Sequence, residues 1–241
     1  MVAAFSFGPL GAMTELVVAP GLAPQNERGG SEFISSGGVR HVQVGRRNPR
    51  KWVVSRPWRD PKFWDQLSLA AHGMLGATYL YDRAQAMLNM IPADLCKGNG
   101  VPVLVRGLPM GAVAAGAVRK VPVLAGRLYT VSAWTAGSNG QVLSWQLGSG
   151  PEKQLSSLQG FAEAAFTPTE DTILTVTVSR SDVSGLRVHE GAPDGGFKAG
   201  DGTPCRVVVK DPSLTYQMVI DESVNADVEV ELIEVGLPGE F

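Results

Sequence analysis

Apolar and polar residues alternate with a period of two over much of the chain, in short runs cut by Gly, Pro, Asn, Asp and Ser. Gly8-Pro9, Pro20-Gly21, Gly29-Gly30 and Gly37-Gly38 bracket predicted strands at Thr14 to Val18 and Ser31 to Ser35. Val42 and Val44, then Trp52 and Val54, put apolar side chains on one face and His41, Gln43, Lys51 and Ser55 on the other. This predicts a hairpin across Gly45 to Pro49. Asp60 is placed to cap a helix with Pro61 at its first position; Phe63, Trp64, Leu67 and Ala71 then recur at helical spacing until Gly73 stops it. A strand follows at Thr78 to Tyr81, while Ala84 to Ile91 reads equally as helix or extended chain.

Beyond Val101 the texture changes to β-branched runs. They fall at Val103 to Val105, Leu128 to Thr135, Val142 to Leu147, Thr172 to Val178, Leu186 to His189, Arg206 to Val209, Leu214 to Ile220 and Val228 to Val235. Strands at such spacing predict a jelly-roll-like β-sandwich. The fold class is therefore mainly β, with an N-terminal β-rich domain carrying one short helix over residues 1–98 and a sandwich over 99–241. The boundary falls at Lys97-Gly98-Asn99-Gly100.

Composition agrees. The 29 Gly and 16 Pro make about 19% of the 241 residues, against roughly 12% in an ordinary chain, which disfavours a helical bundle. The longest apolar run, Met110 to Val118, is nine residues with two glycines and too short for a membrane-spanning helix. No Lys or Arg precedes Arg28, so a secretory signal is not expected, and the chain reads as a soluble one assembled in a cytoplasm.

The net charge of −2 argues against global attraction to nucleic acid, but it hides two segments of opposite sign. Residues 40 to 62 hold Arg40, Arg46, Arg47, Arg50, Lys51, Arg56, Arg59 and Lys62 with one acid. Residues 211 to 241 hold eight acids, Glu229 and Glu231 among them, and no Lys or Arg. They read either as solvated strand faces or as complementary surfaces meeting between neighbouring subunits. The second reading nominates Arg46, Arg47, Arg50, Arg59, Glu229 and Glu231 as interface residues.

Catalytic chemistry finds little support. His41, His72 and His189 sit on different predicted elements, and Cys96 and Cys205 lack a Cys neighbour at zinc-site spacing, so no metal or other cofactor is expected. Gly191 to Lys198 lacks the order of a phosphate-binding loop, and Asp194 and Asp201 lack calcium-loop spacing. Paired carboxylates for glycoside hydrolysis have candidates in Glu163, Glu170, Asp171, Asp182 and Glu190, as in any acid-rich sandwich. Tyr129, Trp134 and Trp145 are candidate sugar-stacking rings. Trp134 points away from the face shared by Tyr129, Val131 and Ala133, towards solvent or beneath a loop or neighbouring subunit. Trp52, Trp58 and Trp64 interleave with the basic segment, but two of them fall on apolar stripes, so packing outweighs base stacking.

Several stretches together resemble the minor tail proteins of long-tailed actinobacteriophages, which are similar to the distal tail protein family. In the first half these are Phe7-Gly8-Pro9-Leu10-Gly11, Leu16 to Pro20, Arg47-Asn48-Pro49-Arg50-Lys51-Trp52, Pro57-Trp58 and Gly76 to Asp82. In the second half, Ala125 to Trp134 and Gly185 to Gly191 resemble a fused carbohydrate-binding-module-like sandwich. The resemblance implies a non-enzymatic virion protein. It would form a hexameric ring with copies of itself, join the tail tube protein to the tip hub and other minor tail proteins, and carry a peripheral sandwich able to contact host cell-wall glycan. The alternative is a free carbohydrate-binding or glycan-active accessory protein.

Overall fold

The structure is a computed structural model that describes residues 4–17, 28–34, 40–47, 49–58, 61–137, 139–157, 160–220 and 223–235. It opens with β1 (Ala4–Gly8) and β2 (Thr14–Val17), then β3 (Arg28–Ile34), β4 (Arg40–Arg47) and β5 (Lys51–Trp58). Helix α1 (Pro61–Ala71) ends, as its spacing predicts, where Gly73 turns to φ +69°. Strand β6 (Thr78–Asp82) runs directly into α2 (Arg83–Leu88), for which Asp82 is the N-cap: its carboxylate accepts from the amides of Ala84 (2.9 Å) and Gln85 (3.2 Å). The ambiguous stretch after Tyr81 is thereby resolved as a short helix.

The hairpin β7 (Pro102–Val105) and β8 (Leu108–Gly111) leads into seven strands: β9 (Val118–Val123), β10 (Tyr129–Thr135), β11 (Gly140–Leu147), β12 (Lys153–Ser157), β13 (Phe161–Phe166), β14 (Thr172–Val178) and β15 (Val183–Glu190). They form two antiparallel sheets, ordered β12-β11-β14-β9 and β13-β10-β15, and Val113 bridges Val183 where an eighth strand would pair. This is jelly-roll connectivity. The interior is supplied by the alternating positions read from the sequence, Tyr129, Val131 and Ala133 against Leu143, Trp145, Leu174 and Val176.

The chain then returns. β16 (Cys205–Ile220) and β17 (Ser223–Glu234) join the first sheet, whose order is β2-β1-β6-β16-β17-β5. The sandwich therefore does not extend to the C-terminus: the strands at 205–234 belong to the N-terminal sheet, and the jelly roll is an insertion between β6 and β16. Register explains the return. Phe7, Leu80 and Cys205 lie in one cross-strand row, and Trp52, Leu232 and Val209 in another, so the same face gathers apolar residues from both ends of the chain. Leu67, Ala70 and Ala71 of α1 pack against that face. Full burial of a side chain such as Leu67 contributes about 1.5–3 kcal/mol.

A second correction concerns the hairpin expected between β4 and β5. β4 pairs with β3 as a separate two-stranded ribbon, and β5 pairs with β17. The alternation of β5 specifies its buried face, where Trp52 and Val54 are covered, but not its partner.

Leu80 faces α1 while its neighbour Tyr81 joins the sandwich core, so β6 lies between the two units. At this seam Tyr81 Oη donates to Glu190 Oε2 (2.5 Å), Arg127 Nη1 donates to the same oxygen (3.1 Å) and Arg83 Nε to Oε1 (3.0 Å). Arg127 also stacks over the Tyr81 ring at 4.9 Å. Burial first, with the Tyr129 and Glu190 oxygens beside it, drives the Tyr81 phenol far above its ordinary pKa and keeps it a hydrogen-bond donor.

Candidate functional site

The charged strands come first, because the expected subunit interface rests on them. Arg50 lies just before β5 and is 1% exposed. Its Nε and Nη2 donate to Glu234 Oε2 and Oε1 at 3.0 and 3.1 Å, its backbone N–H reaches Glu234 Oε2 at 2.9 Å, and Nη2 also donates to Gly202 O at 2.8 Å. One position along, Lys51 Nζ sits 2.5 Å from Glu231 Oε1, and Lys210 approaches the other oxygen at 4.0 Å. Lys51 first, through its hydrogen bond, holds the Glu231 carboxyl below its ordinary pKa.

The basic and acidic segments thus meet inside one chain, across the β5–β17 ladder. Arg50 is turned inward rather than offered to a neighbour: sequence proximity cannot show that a residue 184 positions away supplies its carboxylate. Glu229 is exposed on β17, opposite Ser55 and Ser213. Arg46 and Arg47 end β4, but their side chains, like those of Trp58 and Trp64, lie outside the described residues, as does Arg59 altogether.

The aromatic candidates separate similarly. Tyr129 (0% exposed) and Trp145 (4%) are core residues, each against Phe166, with ring centroids 5.8 and 4.8 Å apart. Trp134 does point away from that core, onto the outer face of the three-stranded sheet, where it packs on Phe161 at 4.8 Å. It is not an open platform. The β7–β8 hairpin lies over it, with Val103, Val105, Ala112, Met110 and Phe197 in the same cluster. Gly185 makes this approach feasible: it has φ +60°, and a Cβ there would sit 3.0 Å from the Val105 methyls and 3.2 Å from Trp134 Cδ1. The indole N–H is buried and has no acceptor among the described residues.

Along β10 and β15 the rest of the outer face is polar and also covered: Thr130, Ser132, Arg187 and His189 are all buried. Arg187, 1% exposed, donates to Leu88 O (2.7 Å) and Gly196 O (2.8 Å) and pairs with Asp194 (2.5 Å), which Lys198 reaches at 3.2 Å. Asp194 therefore acts in a salt-bridged turn. His189 Nε2 lies 3.2 Å from Ala192 O; burial, with Arg187 adding to it, lowers its pKa.

The carboxylates weighed for hydrolysis are dispersed. Asp171 accepts from the amides of Gly11 and Ala125, Asp182 pairs with Arg180 and Thr135, Glu163 accepts from Gly195 N, Glu190 holds the seam, and Glu170 lines a depression with Thr169 and Ser149. Among the described residues no three His, Cys, Asp or Glu come together to hold a metal. No helix among them is long and apolar enough to cross a membrane.

Sequence reasoning did not find the Tyr81–Glu190–Arg127–Arg83 cluster. Its one legible trace is that Arg127 and Glu190 each lie one residue outside a predicted strand, Leu128 to Thr135 and Leu186 to His189. On the surface, the β7–β8 hairpin presents Val101, Leu104 and Leu108, each more than 60% exposed. The six-stranded sheet ends in β2 on one side and β5 on the other, with no further strand on either edge among the described residues. Compared with known proteins, the chain matches no family model and no curated sequence.

Proposed function

We propose that the chain is a structural subunit of a phage tail tip, which assembles into a hexameric ring between tail tube and tip hub and carries the jelly roll at the periphery. The reading rests on the ordered set of stretches that resemble distal-tail-type minor tail proteins. The observation that favours it is the sheet whose two edges, β2 and β5, have no further strand beside them among the described residues. Unpaired N–H and C=O rows are templates for strand addition, and head-to-tail pairing of unlike edges generates a closed ring where the rotation closes. The β3–β4 ribbon pairs with itself alone among the described strands and suits an arm laid on a neighbour. The exposed apolar face of the β7–β8 hairpin is a second surface that assembly would cover.

The mechanism is burial on association, not transformation of a substrate. The Arg50–Glu234 and Lys51–Glu231 pairs, being internal, serve to bind β5 to β17 so that β5 is presented as a firm edge.

Light scattering on the purified chain, with mass spectrometry of intact particles, tests this. The expected results are a species near six times 25.5 kDa and about six copies per virion. A chain that stays monomeric at high concentration and is missing from purified particles refutes the proposal. The rival, a free carbohydrate-binding protein, is favoured by the jelly-roll connectivity alone. It predicts glycan-array binding by a monomer.

A further inference from the structure

Between β15 and β16 the chain runs without regular structure from Gly191 to Pro204, and its two ends are held differently. The far end is tied through main chain: Gly200 O accepts from Ala93 N at 3.1 Å, and Gly202 O accepts from Arg50 at 2.8 Å. The near end, residues 192–198, is strapped to the outer face of the three-stranded sheet by side chains. Gly195 N donates to Glu163 Oε2 (3.3 Å), Arg187 takes the Asp194 carboxylate and Gly196 O, and Phe197 joins the cluster of Trp134. His189 sits at the root of this strap, 3% exposed and opposite Thr130 on β10.

Its Nε2 lies 3.2 Å from Ala192 O, which can only accept, so the neutral ring carries its proton there. Nδ1 is then the bare nitrogen, buried and with no partner among the described residues. The Thr130 hydroxyl is spent on Gly191 O (2.8 Å). The charges around the ring would not welcome another cation. Arg187 stands two residues along β15, Lys198 belongs to the strap, and Arg106 of the β7–β8 hairpin has Nη1 at 3.4 Å from where a Cβ of residue 196 would lie. The acids are already engaged: Asp194 Oδ1 by Arg187 and Gly196 N, Asp194 Oδ2 by Arg187 and Lys198, and Glu163 of β13 by Gly195 N. Helix α2 contributes the carbonyls of Met87 and Leu88, both to Arg187, and Glu190 turns to the seam on the opposite face.

We infer that His189 is a proton-operated latch: a proton taken on Nδ1 in mild acid releases residues 192–198 from the sheet and uncovers Arg187 and the Phe197 side of Trp134. A charged ring would hold a buried N–H without an acceptor beside an arginine, and local opening relieves both at once. The strap is the part that can yield, because Ala192, Pro193, Asp194, Gly195 and Lys198 are exposed while the sheet beneath is buried. Burial, with Arg187 next, holds His189 below its ordinary pKa of 6.5, so the closed strap is favoured above that value and loses stability as pH falls towards the lower folded one. Asp194 is also held below its ordinary value, so its pairing with Arg187 outlasts the histidine titration. Every group belongs to one chain, which makes the latch independent of ring assembly.

NMR of the full chain between pH 7.5 and 4.5, reading the histidine ring carbons and amide hydrogen exchange corrected for its intrinsic pH dependence, tests it. The expected result is a His189 ring that titrates below 6.5, with the amides of residues 192–198 shifting at the same midpoint. Exchange at Gly195 and Gly196 should rise at least about fivefold across that midpoint while β10 and β14 stay protected. His189→Gln keeps an amide able to donate to Ala192 O but cannot take a proton, so its strap should exchange at one rate throughout. The native chain decides the matter even where that variant fails to fold. The inference is overturned by a His189 midpoint at or above 6.5, by no His189 titration down to pH 4.5, by a ring titration to which residues 192–198 do not respond, or by a strap response that persists in folded His189→Gln.

Discussion

Replacing Glu234 with alanine removes the carboxylate that takes two guanidinium bonds and one backbone bond from Arg50, at 2.9 to 3.1 Å. Both side chains are 2% exposed or less, so water cannot take over as partner. Arg50 would keep Gly202 O, the face of Trp52, whose ring centroid is 5.1 Å away, and the more distant charge of Asp201, but would be a buried charge stripped of the carboxylate that pairs with it. Breaking a buried pair in this way costs about 3–5 kcal/mol. At roughly 2–4 °C per kcal/mol for a chain of this length, the thermal midpoint should fall by about 6–20 °C. Scanning calorimetry measures it. The companion variant, Arg50→Met with Glu234→Leu, removes both charges at similar volume and should recover most of the loss, because the cost lies in the orphaned charge rather than in the missing attraction. The reasoning fails if Glu234→Ala loses less than about 1 kcal/mol, or if the double variant is no better than the single. A Glu234→Ala chain with unchanged midpoint but altered oligomeric mass would return Arg50 to the subunit interface.

Two further outcomes follow from the seam and from the polar outer face. Glu190→Ala strands Tyr81 Oη, Arg83 and Arg127 together, so it should cost about 2–3 kcal/mol and raise hydrogen exchange in β6 and β15 ahead of β11 and β14; uniform exchange across these strands would show that Glu190 does not hold the units together. The Asp194 carboxyl is held below its ordinary pKa, chiefly by its hydrogen bond from Arg187, so its contribution to stability is complete above the unfolded value near 3.9 and is lost as pH falls through the lower folded value. The gap in thermal midpoint between the native chain and Asp194→Asn should therefore be constant from pH 7 to about 5 and close progressively below that; a gap that widens in acid would contradict the assignment.

Much of the local structure was legible. Strand patterning located β2, β6, β10, β11 and β14 within a residue or two and the first five residues of β5, and helical spacing with Gly73 located α1. The strands missed have physical reasons. β13 is written Phe-Ala-Glu-Ala-Ala-Phe, a helix-favouring string held extended only because it pairs along β10. β9 carries Pro122 and two cations, which suits an edge strand whose outer side needs no donor. α2 had its signal in Asp82, two and three residues before the amides it caps, and was obscured by the apolar run that follows.

By itself the sequence determined the mainly β class, the jelly-roll-like block and which face of most strands is buried, because period-two alternation and turn residues act within a few positions. Only the tertiary structure decided who pairs with whom. A strand edge offers the same row of N–H and C=O groups to any partner, so nothing local could say that β5 belongs beside β17 rather than β4, or that residues 205–234 return to the sheet begun by Phe5 and Phe7. The candidate sites followed the same division. That Trp134 leaves the core face was readable from parity; that a hairpin lies over it and that Arg50 is closed inside by Glu234 depend on contacts between residues far apart in the chain.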